Sequence, residues 1–124
     1  MRSIWITFQA EGIHMYPAAN EDPSLEDVNF LGLEHRHMFH FKVWIEVFHN
    51  DRDIEFIQFK RWCQNLYNNH DGVLSFDYKS CEMLSDELAE TIQANYPGRY
   101  VKVSVAEDNE NGCEIDYPVD RRSK

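Results

Sequence analysis

The sequence predicts an α+β domain in which a helical layer packs on an antiparallel sheet. Three observations lead there. Apolar residues alternate with period two towards both ends of the chain and recur every three to four residues in the middle. The chain has 124 residues and 14.8 kDa, the size of one ordinary domain. Its 43% hydrophobic and 14% aromatic content is enough to form a core.

Residues 2–10 read as a strand, with Ile4, Ile6 and Phe8 alternating against Trp5, Thr7 and Gln9. Residues 16–29, with Pro17, Pro23 and several acids, read as a long loop. Residues 36–49 give the clearest strand. Phe39, Phe41, Val43, Ile45 and Val47 share one face, and Met38, His40, Lys42, Trp44, Glu46 and Phe48 share the other. A turn at Asn50–Asp53 leads into an amphipathic helix over 54–68, carried by Phe56, Phe59, Cys63 and Leu66 and capped by Asp53. Ser80 caps a second helix over 81–95, with Leu84, Leu88 and Ile92 as its buried stripe, and Tyr96-Pro97-Gly98 stops it. Residues 100–106 form a third strand. Asn111-Gly112 marks a turn, and Cys113–Tyr117 form a short fourth strand. The order is β-β-α-α-β-β, with four strands in one domain over 1–117 and a polar tail over 118–124. Four strands leave one sheet face short of cover, and Met38, Trp44 and Phe48 on that face point to a second subunit.

Composition excludes several classes. There are 22 Asp+Glu against 12 Lys+Arg, a net charge of −10, which disfavours nucleic acid as a partner. No apolar run approaches the ~20 residues that span a bilayer. The first residues lack the apolar core of a signal peptide. Three cysteines without paired spacing fit a reducing cytoplasm better than a disulfide framework.

Six histidines are the generous item in the inventory. His35-Arg36-His37 is an H-x-H on a strand, so both imidazoles face the same way. His14 lies just past the first strand. Three imidazoles with an open fourth position are the donor set of a catalytic zinc site. Spacing alone leaves open that the pair is merely a surface or hydrogen-bonded one. His40 has the opposite parity, and His49 sits at a strand end. Cys63 falls on an apolar helix stripe as a core residue. Cys81 sits at a helix N-terminus, where a thiolate would be favoured, although a structural role is the simpler reading.

Several short motifs occur in order. They are Phe8-Gln9-Ala10 with His14 following, then His35-Arg36-His37, Ile54–Lys60, Lys79-Ser80-Cys81-Glu82, and Val103-Ser104-Val105-Ala106-Glu107-Asp108. Together they resemble the 6-pyruvoyl-tetrahydropterin synthase / 6-carboxy-tetrahydropterin synthase family over about residues 5–117. The resemblance implies the tunnelling fold, with a sheet that joins its neighbours' in an oligomeric barrel (trimer, tetramer or hexamer) and sites between subunits. It implies His14, His35 and His37 as Zn²⁺ ligands and Glu107 as the acid that anchors a pterin ring. A carboxylate can accept two parallel hydrogen bonds from such a ring. Ser80 would help hold the ring.

The departures are specific. The family's cysteine, four residues before its H-G-H, is Leu31 here, which cannot move a proton. The Asp-His relay of the family corresponds to Asn69-His70, leaving His70, with Asp71 adjacent, as the base. The glycine of H-G-H is Arg36, a cation able to narrow the pocket or contact a phosphate. The resemblance therefore implies a zinc-dependent carbon–oxygen lyase acting on a dihydroneopterin-triphosphate-like substrate in tetrahydropterin or queuosine-type synthesis. The alternative is a tunnelling-fold protein that keeps the metal and binds a pterin, purine or nucleotide without turnover. A metal-bearing structural oligomer is the third reading.

Overall fold

The computed structural model describes residues 1–68 and 72–119. The chain is α+β. Strand β1 spans Arg2–His14, and two 3₁₀ segments follow at Pro17–Asn20 and Pro23–Gly32. Then come β2 (His35–Val47), α1 (Phe56–Asn65), β3 (Leu74–Asp77), α2 (Cys81–Asn95), β4 (Val101–Glu107) and β5 (Asn111–Tyr117). The five strands form one sheet in the order β3-β1-β2-β4-β5.

The sheet is mixed, not the expected four-stranded antiparallel one. The added strand, β3, runs parallel to β1 beside Gly12–His14. Its four residues bury only Phe76, too little apolar signal to stand out in the sequence. The long loop is also largely 3₁₀, started by Pro17 and Pro23 and capped by Asp22, whose carboxylate accepts from the Ser24 amide at 2.9 Å. Helix α1 is shorter than expected and is capped by Glu55. Asp53 instead ties two turns together. It accepts from the Phe48 amide (2.7 Å) and from the Arg99 guanidinium (2.9 Å). His70 and Asp71 lie outside the described residues, as does most of the polar tail.

Alternation does most of the folding work. Ile6, Phe8 and Ala10 of β1, odd-numbered Phe39–Val47 of β2 and Val101, Val103 and Val105 of β4 all turn to one face. There they meet Phe59 and Cys63 of α1 and Leu84, Leu88, Ala89 and Ile92 of α2 in a single core. Phe8 stacks on Phe41 with centroids 4.7 Å apart. Ser85 and Tyr117 lock α2 to β5: the Tyr117 hydroxyl donates to Asp86 (2.6 Å) and accepts from Ser85 Oγ (2.8 Å). The opposite sheet face carries Trp5, Met38 and Phe48 uncovered.

Gly12 is fixed by packing. A Cβ there would stand 2.3 Å from the Phe76 ring, and Phe76 in turn meets Phe39 edge to face at 5.0 Å. Gly12→Ala is expected to cost about 1–3 kcal/mol through overpacking, read as a lowered denaturation midpoint in urea. Asp53 makes a pH-dependent contribution. Its Arg99 and Phe48 partners hold the carboxyl below its usual range, so the contribution is present at neutral pH and lost as pH falls through the lowered range. Asp53→Asn should lower the melting temperature at pH 7, and the gap from the parent protein should shrink in acid.

Candidate metal centre

The β1–β2 register places His14 directly opposite His35. Directly opposed residues share a sheet face, and so do positions two apart on one strand. His14, His35 and His37 therefore stand together at one end of the core face, above buried Phe39. Ring centroids are 4.5 Å apart for His14–His35, 4.9 Å for His35–His37 and 5.5 Å for His14–His37. One ligand atom from each lies within 4.8 Å of the others. A tetrahedral ion with bonds of about 2.0–2.1 Å would need its three nitrogens closer than this upper bound.

The hydrogen bonds around the rings select a tautomer. His14 Nδ1 lies 2.7 Å from the Lys79 carbonyl, and His35 Nδ1 lies 2.8 Å from the Leu33 carbonyl. A carbonyl only accepts, so both rings carry their hydrogen on Nδ1. His37 Nδ1 lies 2.6 Å from Asp108 Oδ2. Hydrogen bonds from His37 and from the Met38 amide (2.9 Å) hold the Asp108 carboxyl below its usual range, so it too is an acceptor. Each neutral ring is left with its lone pair on Nε2. The Nε2 atoms of His14 and His37 are buried and make no hydrogen bond. A buried polar atom without a partner is costly, and a metal ion supplies what these two lack. The residues thus fit a three-nitrogen metal centre, with every ring fixed from behind as such ligands usually are.

Glu107, at the end of β4, faces the cluster. Its Oε1 is 3.1 Å from His14 Nε2 and its Oε2 is 3.3 Å from His37 Nε2, close contacts that are out of line for regular hydrogen bonds. When His14 is protonated it pairs with this carboxylate. That pairing raises its pKa, against the opposing effect of burial, while His14 and the neighbouring rings lower that of Glu107.

The other expected residues distribute unevenly. Ser80 caps α2, accepting from the Met83 amide at 3.2 Å, and lines a cavity of about 560 Å³ that reaches His14 and Glu107. Leu31 lines the same cavity. Arg36 points to the opposite sheet face and pairs with Glu11 at 2.9 Å, so within one chain it does not reach the cluster. Cys81 lies 3.9 Å from Glu107, and burial together with that carboxylate pushes its thiol up to about 12. It is a neutral thiol at the cavity wall, not the thiolate that a helix N-terminus alone would favour.

Sequence reasoning missed Asp108. It adopts a left-handed backbone (φ 52), and that turn is what lets one carboxylate hold both His37 and the Met38 amide. An acid directly after Glu107, at the strand end opposite the H-x-H strand, was the available signal. No family model and no curated protein matches the chain.

Asp108→Asn keeps an oxygen for the Met38 amide and tolerates the left-handed turn, but removes the anion behind His37. The expected result is metal affinity about 10–100-fold weaker with an unchanged far-ultraviolet spectrum, measured by competition with a chromogenic chelator.

Proposed function

We propose that the chain is a tunnelling-fold, zinc-dependent lyase of the tetrahydropterin-synthase kind, acting in the cytoplasm on a dihydroneopterin-triphosphate-like substrate. The observation that carries this reading is the group of three imidazoles with tethered Nδ1 atoms, two of them with buried, unpartnered Nε2, beside a carboxylate and an open cavity. His14, His35 and His37 would hold Zn²⁺, which supplies Lewis-acid polarisation of substrate oxygens when bound. With His14 holding a cation, Glu107 would no longer pair with a protonated His14, and its two oxygens would be available to a ring's amino and N–H groups. Leu31, Tyr16 and Met83 give the cavity apolar walls suited to a flat heterocycle.

Proton transfer falls to His70, with Asp71 beside it. Leu31 has no proton to move, and the Cys81 thiol is far too weak an acid at neutral pH. Assembly has physical support. Among the described residues, β1 before Gly12 has no strand on its outer side, β5 is likewise an open edge, and Trp5, Phe56 and Ile57 are exposed beside the β1 edge.

One observation favours a second reading. Leu31 stands in the cavity at the position where the resembling family keeps its cysteine. A protein that binds a pterin or purine ring at the metal without converting it would tolerate that leucine.

Protein purified without chelators is expected to carry one zinc per chain, and His35→Ala to lose it. Incubation with dihydroneopterin triphosphate should release inorganic triphosphate at a rate abolished in His35→Ala. Metal and ligand binding without triphosphate release would establish the second reading, and absence of metal would remove both.

A further inference from the structure

A second cavity, comparable in size to the one at the histidines, lies away from them. It is a groove of about 580 Å³ that runs over the uncovered sheet face and past the open β1 edge to α1, and neither His14 nor Glu107 lines it. The cross-strand register builds it in rows. Thr7 lies opposite Lys42, which lies opposite Ser104. The next row runs Gln9, His40, Ala106. Lys60, from α1, closes one side.

The groove's charge departs from that of the chain. The protein has 22 acidic residues against 12 basic ones, yet among the described residues two lysines and a histidine line this groove and no Asp or Glu does. The carboxylates on this face are already engaged. Glu11 pairs with Arg36 (2.9 Å) and Glu114 with Lys102 (3.4 Å). Glu46 accepts from the Tyr100 amide (3.0 Å), and Asp116 from the Tyr100 hydroxyl. Lys42 and Lys60 form no ion pair among the described residues. The Lys42 ammonium is instead held over two indoles, 4.3 Å from the Trp5 ring centre and 4.7 Å from that of Trp44. Cation–π contacts steady an ammonium without neutralising it. The remaining lining offers Thr7 and Ser104 hydroxyls and the Gln9 amide, which can all donate.

We propose that this groove is an anion site for the phosphate groups of a small molecule, separate from the metal centre. Two uncompensated ammonium groups with neutral donors between them are the set that a phosphate chain takes. The volume falls within the ~300–1,000 Å³ of small-molecule sites and exceeds what one phosphate fills. The site does not depend on the metal or on any reaction there.

The test is calorimetric titration of the metal-loaded protein with inorganic triphosphate at low salt, repeated with ATP to ask whether a nucleoside adds affinity. Saturable binding that weakens as salt rises is expected. Lys42→Gln with Lys60→Gln should weaken it at least tenfold while leaving metal content unchanged. Lys42→Arg should retain it. His35→Ala should leave it intact, which separates the groove from phosphate bound to the metal. The proposal is overturned if triphosphate shows no saturable binding up to millimolar concentration, or if binding survives the double lysine variant and disappears in His35→Ala.

Discussion

β1 and β2 each run for 13 residues and pair over their whole length, from Arg2 opposite Val47 to His14 opposite His35. Everything at the site depends on that register. A slip of one residue would turn Ile6, Phe8 and Ala10 out to solvent and carry His14 to the wrong face. The apolar alternation that fixes the register is the same alternation that aligns the histidines. Core and candidate metal centre are therefore one pattern, and the histidines are its last rung. Gly12, beside them, leaves the room that the Phe76 ring occupies beneath the cluster.

The site is built by elements that meet at this rung. β1 supplies His14, β2 supplies His35 and His37, and β4 ends there with Glu107 and Asp108. The turn before α2 contributes the Lys79 carbonyl, which orients His14. The 3₁₀ segment between β1 and β2 contributes Leu31, and the residue after it, Leu33, orients His35. Ring orientation here is a property of backbone carbonyls and one carboxylate. Each of those is fixed by secondary structure more than by its own side-chain freedom.

Much of this was legible in the residues themselves. Period-two alternation through Phe39–Val47 gave the strand and its faces, and the parity of His35 and His37 followed from it. The 3–4 spacing of Leu84, Leu88 and Ile92 gave α2, and Ser80 its cap. Three things escaped the reading, two for want of a pattern and one that parity could have given. β3 is four residues long and buries one side chain, so neither its existence nor its parallel pairing shows in a pattern. An acid directly after Glu107 hinted at Asp108, but the left-handed backbone through which it acts does not show in a pattern. Arg36 looks like a site residue because it lies between two ligands, yet strand parity turns it away. That parity argument was available for Arg36 as it was for His40, and adjacency in sequence obscured it.

The two sheet faces divide the chemistry. One buries the core and ends in three imidazoles, a carboxylate and a cavity. The other carries paired acids, two indoles beneath the Lys42 ammonium and two lysines, Lys42 and Lys60, without an ion pair among the described residues. The proposed chemistry stands on the first face, where His14, His35 and His37 are grouped closely enough to hold one ion. X-ray absorption on zinc-loaded protein tests it most directly. The account predicts a nearest shell that includes three imidazole nitrogens at about 2.0–2.1 Å, losing one nitrogen in His14→Ala. A shell of oxygens or sulfurs, or one indifferent to His14, would contradict it.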